Sequence, residues 1–282
     1  NHALDGQTGR FRNFFSYDRR WLESVGSEDS HGRSLWALGM ATGRSSDPGI
    51  RGLAGRLFND ALPAAEEFTS PRAWAYTLLG IAEFMRRFHG HRGAELMRSA
   101  LSERLLARFA ESAVEEWQWC ESTLTYCNAR LPQALISCGQ ALDRADMTEW
   151  GLRVLGWLQR VQRIAGHFVR IGCHGCYARD GDRARFDQQP VEAHAMIGAC
   201  LEAYRATGDE RRRREAKTAF EWFLGRNDLR LPVYDPSTGG CHDGLGPGGL
   251  NQNQGAESTL SFLSALMEMK LAESAWRASG RR

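Results

Sequence analysis

The chain has 282 residues, 42% hydrophobic and 25% charged, which is ordinary for a globular protein and long enough for a sizeable core. Its 36 Lys and Arg against 34 Asp and Glu leave a net charge of +2, so charge gives no reason to expect a nucleic-acid or membrane partner. Seven scattered cysteines fit reduced thiols in a cytoplasmic protein better than a disulfide framework, and no apolar run approaches the roughly 20 residues that span a bilayer.

Residues 1–30 read as a loop-rich entry with no signal-peptide core and no initiator Met, so a piece of a longer protein or a trimmed product is expected. Asp29-Ser30 reads as an N-cap pair for a helix over 31–42, stopped by Gly43 and Asp47-Pro48-Gly49. Leu53, Leu57, Phe58, Leu62 and Ala65 predict a second helix over 50–68, with Pro63 kinking or splitting it. Ser70-Pro71 opens a third helix, with proline in its first turn, that runs to near His89-Gly90. A fourth is predicted over 92–114.

A helix over 128–142 is apolar nearly all round, as a buried helix is. The next, over 146–166, is amphipathic and rich in Arg. A long Gly-rich loop over 167–187 leads to an apolar helix over 191–207 and, after Gly208-Asp209, a charged one over 210–224. The run Arg211, Arg212, Arg213, Arg214 at its start reads as a solvated face. A second long loop over 225–254 precedes a helix over 256–275. Long loops of this kind are often functional.

Apolar helices preceded by polar knots thus begin near residues 31, 72, 128, 190 and 255, with charged helices between them. The expected fold class is all-α: an (α/α)6-type toroid of alternating inner and outer helices, lacking an N-terminal helix pair, as one domain over 1–282. The alternative is an open helical array of repeat type; the uneven spacing argues against a short constant repeat.

The knots hold the chemistry. They are Glu28 to Arg33, Trp117 to Gln133, Phe186 to Glu192 and Asn251 to Thr259. Hydrolysis of a glycoside needs two carboxyls flanking the bond, and Asp29, Glu121, Asp187 and Glu257 are the catalytic candidates. Each sits near a helix N-terminus, where a carboxylate also serves as a cap or dipole partner. Capping does not ask for the amides Gln188, Gln189 and Gln254 beside them, whereas sugar hydroxyls, which donate and accept, do. Trp117, Trp119 and Tyr126 are candidate sugar platforms, with core packing as the alternative. Arg33 and Arg130 read as partners of rim carboxylates or of an anionic sugar. His31, Asn128, Glu192 and His194 complete the expected substrate-binding set.

Two sharper motifs read as plain loops. Cys173-His174-Gly175-Cys176 with Cys241-His242 has metal-ligand residue types but no standard zinc spacing, and no metal or other cofactor is expected. Gly246-Pro247-Gly248-Gly249 lacks the Lys-Ser/Thr of a phosphate loop.

The run from Asp29 to Gly39, the run from Leu124 to Ile136, and the runs 186–195 and 251–259 resemble bacterial (α/α)6-toroid domains. These are glycosidase-related, or form the C-terminal part of glycosyltransferase group 1 polypeptides. The resemblance implies glycan processing, an oligosaccharide or glycoside substrate, and a link to a glycosyltransferase. Such domains carry a further upstream inner helix opening with two aspartates and Asn-Ala-Arg, a motif this sequence lacks. Two rival readings stand beside hydrolysis. One is a sugar epimerase or isomerase using His31 and His194. The other is a non-catalytic glycan-binding domain of a glycosyltransferase polypeptide.

Overall fold

Caps and breakers set the helix ends in the computed structural model, which describes residues 2–164, 166–173 and 175–279. Helix α1 (Glu28–Arg44) starts earlier than the Asp29-Ser30 pair implies. Ser27 is the N-cap, its hydroxyl accepting from the Ser30 N–H, so Asp29 lies in the first turn instead. Asp47 caps α2 (Pro48–Ala61) with bonds from Gly49 and Ile50 N–H. Pro63 falls where α2 gives way to a 3-10 turn over Leu62–Glu67, because proline offers no N–H to continue the helix. Ser70 caps α3 (Pro71–Phe84), and α4 (Arg92–Ser112) follows.

Further on come β1 (Thr123–Leu124), α5 (Arg130–Leu142) and α6 (Ala145–Val161). The loop expected after α6 begins earlier than predicted and holds β2 (Arg163–Ile164), β3 (His167–Phe168) and β4 (Tyr177–Ala178). Strand β2 pairs with β3, and β1 with β4, both antiparallel. Then come α7 (Pro190–Thr207), α8 (Glu210–Glu221), a 3-10 turn over Trp222–Leu224, the pair β5 (Leu245–Gly246) and β6 (Gly249–Leu250), and α9 (Ala256–Ser279).

The chain divides into two compact units, residues 1–110 with 137–148, and residues 111–136 with 149–282. In the first unit α3 is buried nearly all round, and α1 packs along it. Glycines permit the approach: a Cβ on Gly80 would lie 2.7 Å from the Leu35 carbonyl oxygen, and one on Gly32 2.9 Å from that of Ala73. Phe58 stacks on Phe84 at 4.3 Å in the same core.

In the second unit α7 is the wrapped helix, buried from Pro190 through Leu201 and packed by α8 and α9. Gly208, at φ 69°, ends it in the left-handed conformation that glycine adopts freely. Helix α8 buries only Ala216 and Ala219, as an outward-facing helix does. Its arginines are paired as a solvated face would be: Arg211 and Arg212 with Glu215, and Arg213 with Glu210. Helix α9 departs from the expected inner-helix pattern, because Leu260, Leu263, Met267 and Leu271 along it are exposed. Among the described residues no helix is long and apolar enough to cross a membrane.

Candidate active-site cleft

The loops before α7 and α9 meet in the second unit. Gln188 and Leu245 exchange both backbone bonds, each 3.0 Å, so the segment leading into α7 is pinned to β5. Gly244, at φ 150°, lies flat against the Gln188 carbonyl where a side chain would collide. Asp187 sits at φ 60°, a conformation that costs free energy for a residue with a side chain and persists when its surroundings impose it. The surroundings here are Gln188 on one side and Cys173 on the other. The backbone N–H of Cys173 donates to the Asp187 carbonyl at 3.2 Å, and so does its thiol.

The result is a cleft of about 450 Å³ lined by Cys173, Asp187, Gln189, Asp243, Asn251 and Glu257, among others. Asp187 is half-buried, and Glu257 in the first turn of α9 is exposed. Asp243 is held in place. Its carboxylate accepts from the Gly255 N–H at 2.8 Å and from the Asn253 amide, which fastens the 251–255 loop at the start of α9. Burial pushes the Asp243 pKa up, but hydrogen bonds from Ser258, Asn253 and Gly255 together hold it below its ordinary value. Asp243 is therefore a fixed anion.

Below the start of α7 lies Arg170, fully buried, its Nη1 donating to the Gln189 carbonyl. Its guanidinium lies 3.2 Å from the Trp222 ring centroid. Burial pushes its pKa down, and the charge of Glu192 opposes that. Trp222 in turn donates to the Gln188 side chain at 3.0 Å, and the Gln188 amide donates to Asp228 at 2.6 Å. A layer of buried polar groups thus sets the backbone on which Asp187 and Gln189 are carried. Arg170 and Asp243 escape the sequence reading. Both stand in loops without periodicity, and the one available signal was the cluster of Asp, Gly and amides over 243–255.

Of the expected catalytic residues, Asp187 and Glu257 share this cleft. Glu121, half-buried, is not among its lining residues; its backbone carbonyl accepts from the Trp117 indole at 2.8 Å. Asp29 lies in the first unit, paired with Arg33 at 2.8 Å, and Arg33 lies over the Tyr76 ring.

Several expected substrate contacts are buried. Trp117 and Trp119 are core residues rather than exposed platforms, and Trp117 packs edge-on against Trp157 and Tyr177. Tyr126 is 36% exposed. Asn128 is buried and closes its own turn on Thr125, accepting from the N–H at 3.2 Å and donating to the carbonyl. Arg130 is buried and donates to Gln133 at 2.7 Å. Glu192 is buried and accepts from the Cys127 N–H, and Gln188 is buried as described. Gln254 bridges Thr238 and Asp235, while Gln189 lines the cleft.

The two histidines are both held. His194 bonds to Glu268 at 3.2 Å; burial pushes the Glu268 pKa up, but the His194 charge and hydrogen bond, helped by Arg130 and Arg205, bring it below normal. His31 is wholly buried in the first unit. Its Nδ1 accepts from the Phe11 N–H at 3.1 Å, and its Nε2 faces the Ala61 carbonyl at 3.0 Å. That pairing fits the neutral Nε2–H tautomer, and burial lowers its pKa to about 4. Among the described residues no group of three or more His, Cys, Asp or Glu is placed to hold a metal ion; His174 of the Cys173–Cys176 run lies outside them.

No family model and no curated protein matches the sequence. Solved structures do match. The Lin0763 protein from Listeria innocua is 12% identical with a TM-score of 0.60, over 79% of this chain and 66% of that one. An unsaturated glucuronyl hydrolase specific for heparin is 11% identical with a TM-score of 0.58, over 81% of this chain and 63% of that one. A GH76 α-mannanase from Bacteroides thetaiotaomicron is 13% identical with a TM-score of 0.58, over 84% and 68%. The chain thus spans about two thirds of the length of these proteins. At such identities the likeness is one of fold: the chain is an all-α protein with the (α/α) toroid fold of glycosidase-type structures.

Proposed function

We propose that the protein processes carbohydrate, as a glycoside hydrolase acting at the cleft between the loops before α7 and α9. The observation that carries this reading is the cleft itself, with Asp187, Asp243 and Glu257 around about 450 Å³ and the polar side chains of Gln189 and Asn251 beside them. Carboxylates accept from sugar hydroxyls, and amides both accept and donate. Asp243, fixed by its hydrogen bonds, orders the wall. Asp187 and Glu257 are then the reacting pair. One carboxyl gives its proton to the departing glycosidic oxygen. The other draws a proton from the attacking water, or attacks the sugar carbon itself, according to the separation of the two groups with substrate bound.

Solved proteins of like fold include one named a glucuronyl hydrolase and one named a mannanase, which agrees with this class of substrate. A link to a glycosyltransferase polypeptide rests on the resemblance of the sequence knots alone. The isomerase reading has less to stand on, because His31 is buried with both ring nitrogens engaged by backbone.

The test is a screen of purified oligosaccharides and glycosides for release of reducing ends, followed by Asp187→Asn and Glu257→Gln on any substrate found. Both variants are expected to fold and to lose turnover. Full activity in both overturns the assignment, and conversion of the sugar without bond cleavage selects the isomerase.

A further inference from the structure

The second unit has another concavity, of opposite character. It measures about 620 Å³ and is lined by His167, Arg185, Arg226, Asn227, Asp228 and Arg230, with neighbouring backbone. We propose that it is a binding site for a small oxyanion, a carboxylate or phosphate carried on a molecule of about sugar size. The proposal does not depend on the reading of the cleft.

Positive charge is in excess here. Three guanidinium groups face one carboxylate, and that carboxylate is spent elsewhere. The Asp228 side chain is 2% exposed, and it already accepts from His167 at 3.0 Å and from Gln188 at 2.6 Å. Arg185 reaches it at 3.6 Å while staying 62% exposed. Arg226 pairs with Glu221 at 2.6 Å at the surface, an exposed contact that a ligand can replace at little cost. Arg230 has no ion pair among the described residues. The arginines at the start of α8 differ, since Arg211, Arg212 and Arg213 each meet a glutamate of their own helix. Here positive charge is gathered in a concavity and left in excess.

The loop that carries two of these arginines is also built to hold its shape. Asn227 is buried and makes four hydrogen bonds: its amide donates to the carbonyls of Trp222 and Leu231, and its oxygen accepts from the N–H groups of Leu229 and Leu231. These bonds close the 225–231 loop on itself. Gly225 at φ 99° and Arg230 at φ 55° take up its sharp bends. Arg226 and Arg230 are thus carried on a rigid turn with the Asp228 side chain buried between them. The turn fixes the backbone from which these side chains reach, and each guanidinium gives two parallel N–H donors to a carboxylate or phosphate. The volume suits a small molecule rather than a polymer.

Thermal shift and calorimetry would test this at constant ionic strength set with sodium chloride, with inorganic phosphate, D-glucuronate and glucose as probes. Saturable stabilisation by phosphate or glucuronate, and none by glucose, is expected. Phosphate alone would identify a phosphate site, and glucuronate alone a sugar-acid site. The Arg226→Gln/Arg230→Gln variant, altered only at exposed side chains, should bind at least tenfold more weakly, and an Arg211→Gln/Arg213→Gln control should bind as the parent does. Absence of saturable binding, equal stabilisation by glucose, or undiminished binding in the double variant would overturn the proposal.

Discussion

Asp29 and Glu257 occupy the same local place. Each is the second residue of a helix, in an acidic first turn that follows a polar run, and each favours the positive end of the helix dipole. Their surroundings separate them. Asp29 has an arginine one turn on, and Arg33 pairs with it across the (i, i+4) spacing. Glu257 opens onto a cleft that also holds Asp187 and Asp243. A capping role accounts for both carboxylates equally well, so it cannot tell a site from a helix start. A concavity with further acids in it can.

The largest effect that would break or sharpen this contrast is at Asp187. Replacing it with Asn keeps the shape and removes the ability to exchange a proton. Turnover on the substrate found in the screen should fall by about 10²- to 10⁴-fold, the usual worth of a positioned acid or base. Circular dichroism should show an unchanged fold. Arg170→Met comes next. It takes away the hydrogen bond to the Gln189 carbonyl and the stack on Trp222; a hydrogen bond from a charged donor is worth about 1.5–3 kcal/mol and a desolvated cation–π contact about 2 kcal/mol. Urea unfolding measures that. A variant as stable as the parent would show that the buried layer under Gln189 does not hold the cleft.

His31 supplies the third effect, in the first unit. Its pKa is about 4 when folded and 6.5 when unfolded, so between these values the unfolded chain takes up a proton that the folded chain refuses. The stability it contributes is whole above pH 6.5 and is lost as pH falls toward 4, by up to about 3 kcal/mol at roughly 1.4 kcal/mol per unit. The physical reason is burial of the ring, and a proton on Nδ1 would also face the Phe11 N–H that now donates to it. Urea midpoints measured from pH 7 to pH 4 should fall less steeply in His31→Gln than in the parent. Equal slopes would remove His31 as the cause.

Periodicity made the helices legible. The apolar spacing over 191–207, the Ser70-Pro71 start, the Pro63 break and the Gly208-Asp209 turn all lie within a few residues of the structural boundaries, because each is decided by neighbours in the chain. The pairing of two-residue strands β1 and β4 was not legible: two residues hold no period, and the partners are more than fifty positions apart. The site divides the same way. Asp187 and Glu257 stood out through their company of amides, whereas Asp243 acquires its place from Gly255 and Arg170 from Gln189, across loops whose course the sequence does not show. Trp117 and Trp119 misled for a related reason. Aromatic content is the same in a core and on a sugar platform, and only burial separates the two.

The smallest expected effect is the most discriminating. Asp29→Asn removes the charge of a partly exposed pair, in which Arg33 and Asp29 side chains are 30% and 28% exposed. Such pairs contribute about 0.3–0.5 kcal/mol on a helix, and the loss of a favourable dipole contact adds a similar amount. Asparagine can still accept a hydrogen bond from Arg33, so the unfolding midpoint should move by less than 1 kcal/mol in free energy. Turnover should stay within about twofold of the parent, against the loss of 10²-fold or more at Asp187. A fall in turnover at Asp29 comparable with that at Asp187, without a fall in stability, would mean that the (i, i+4) pair with Arg33 orients a reacting carboxylate rather than finishing a helix. The distinction drawn between the two first-turn acids would then fail, and the knot at residues 28–33 would join the catalytic set.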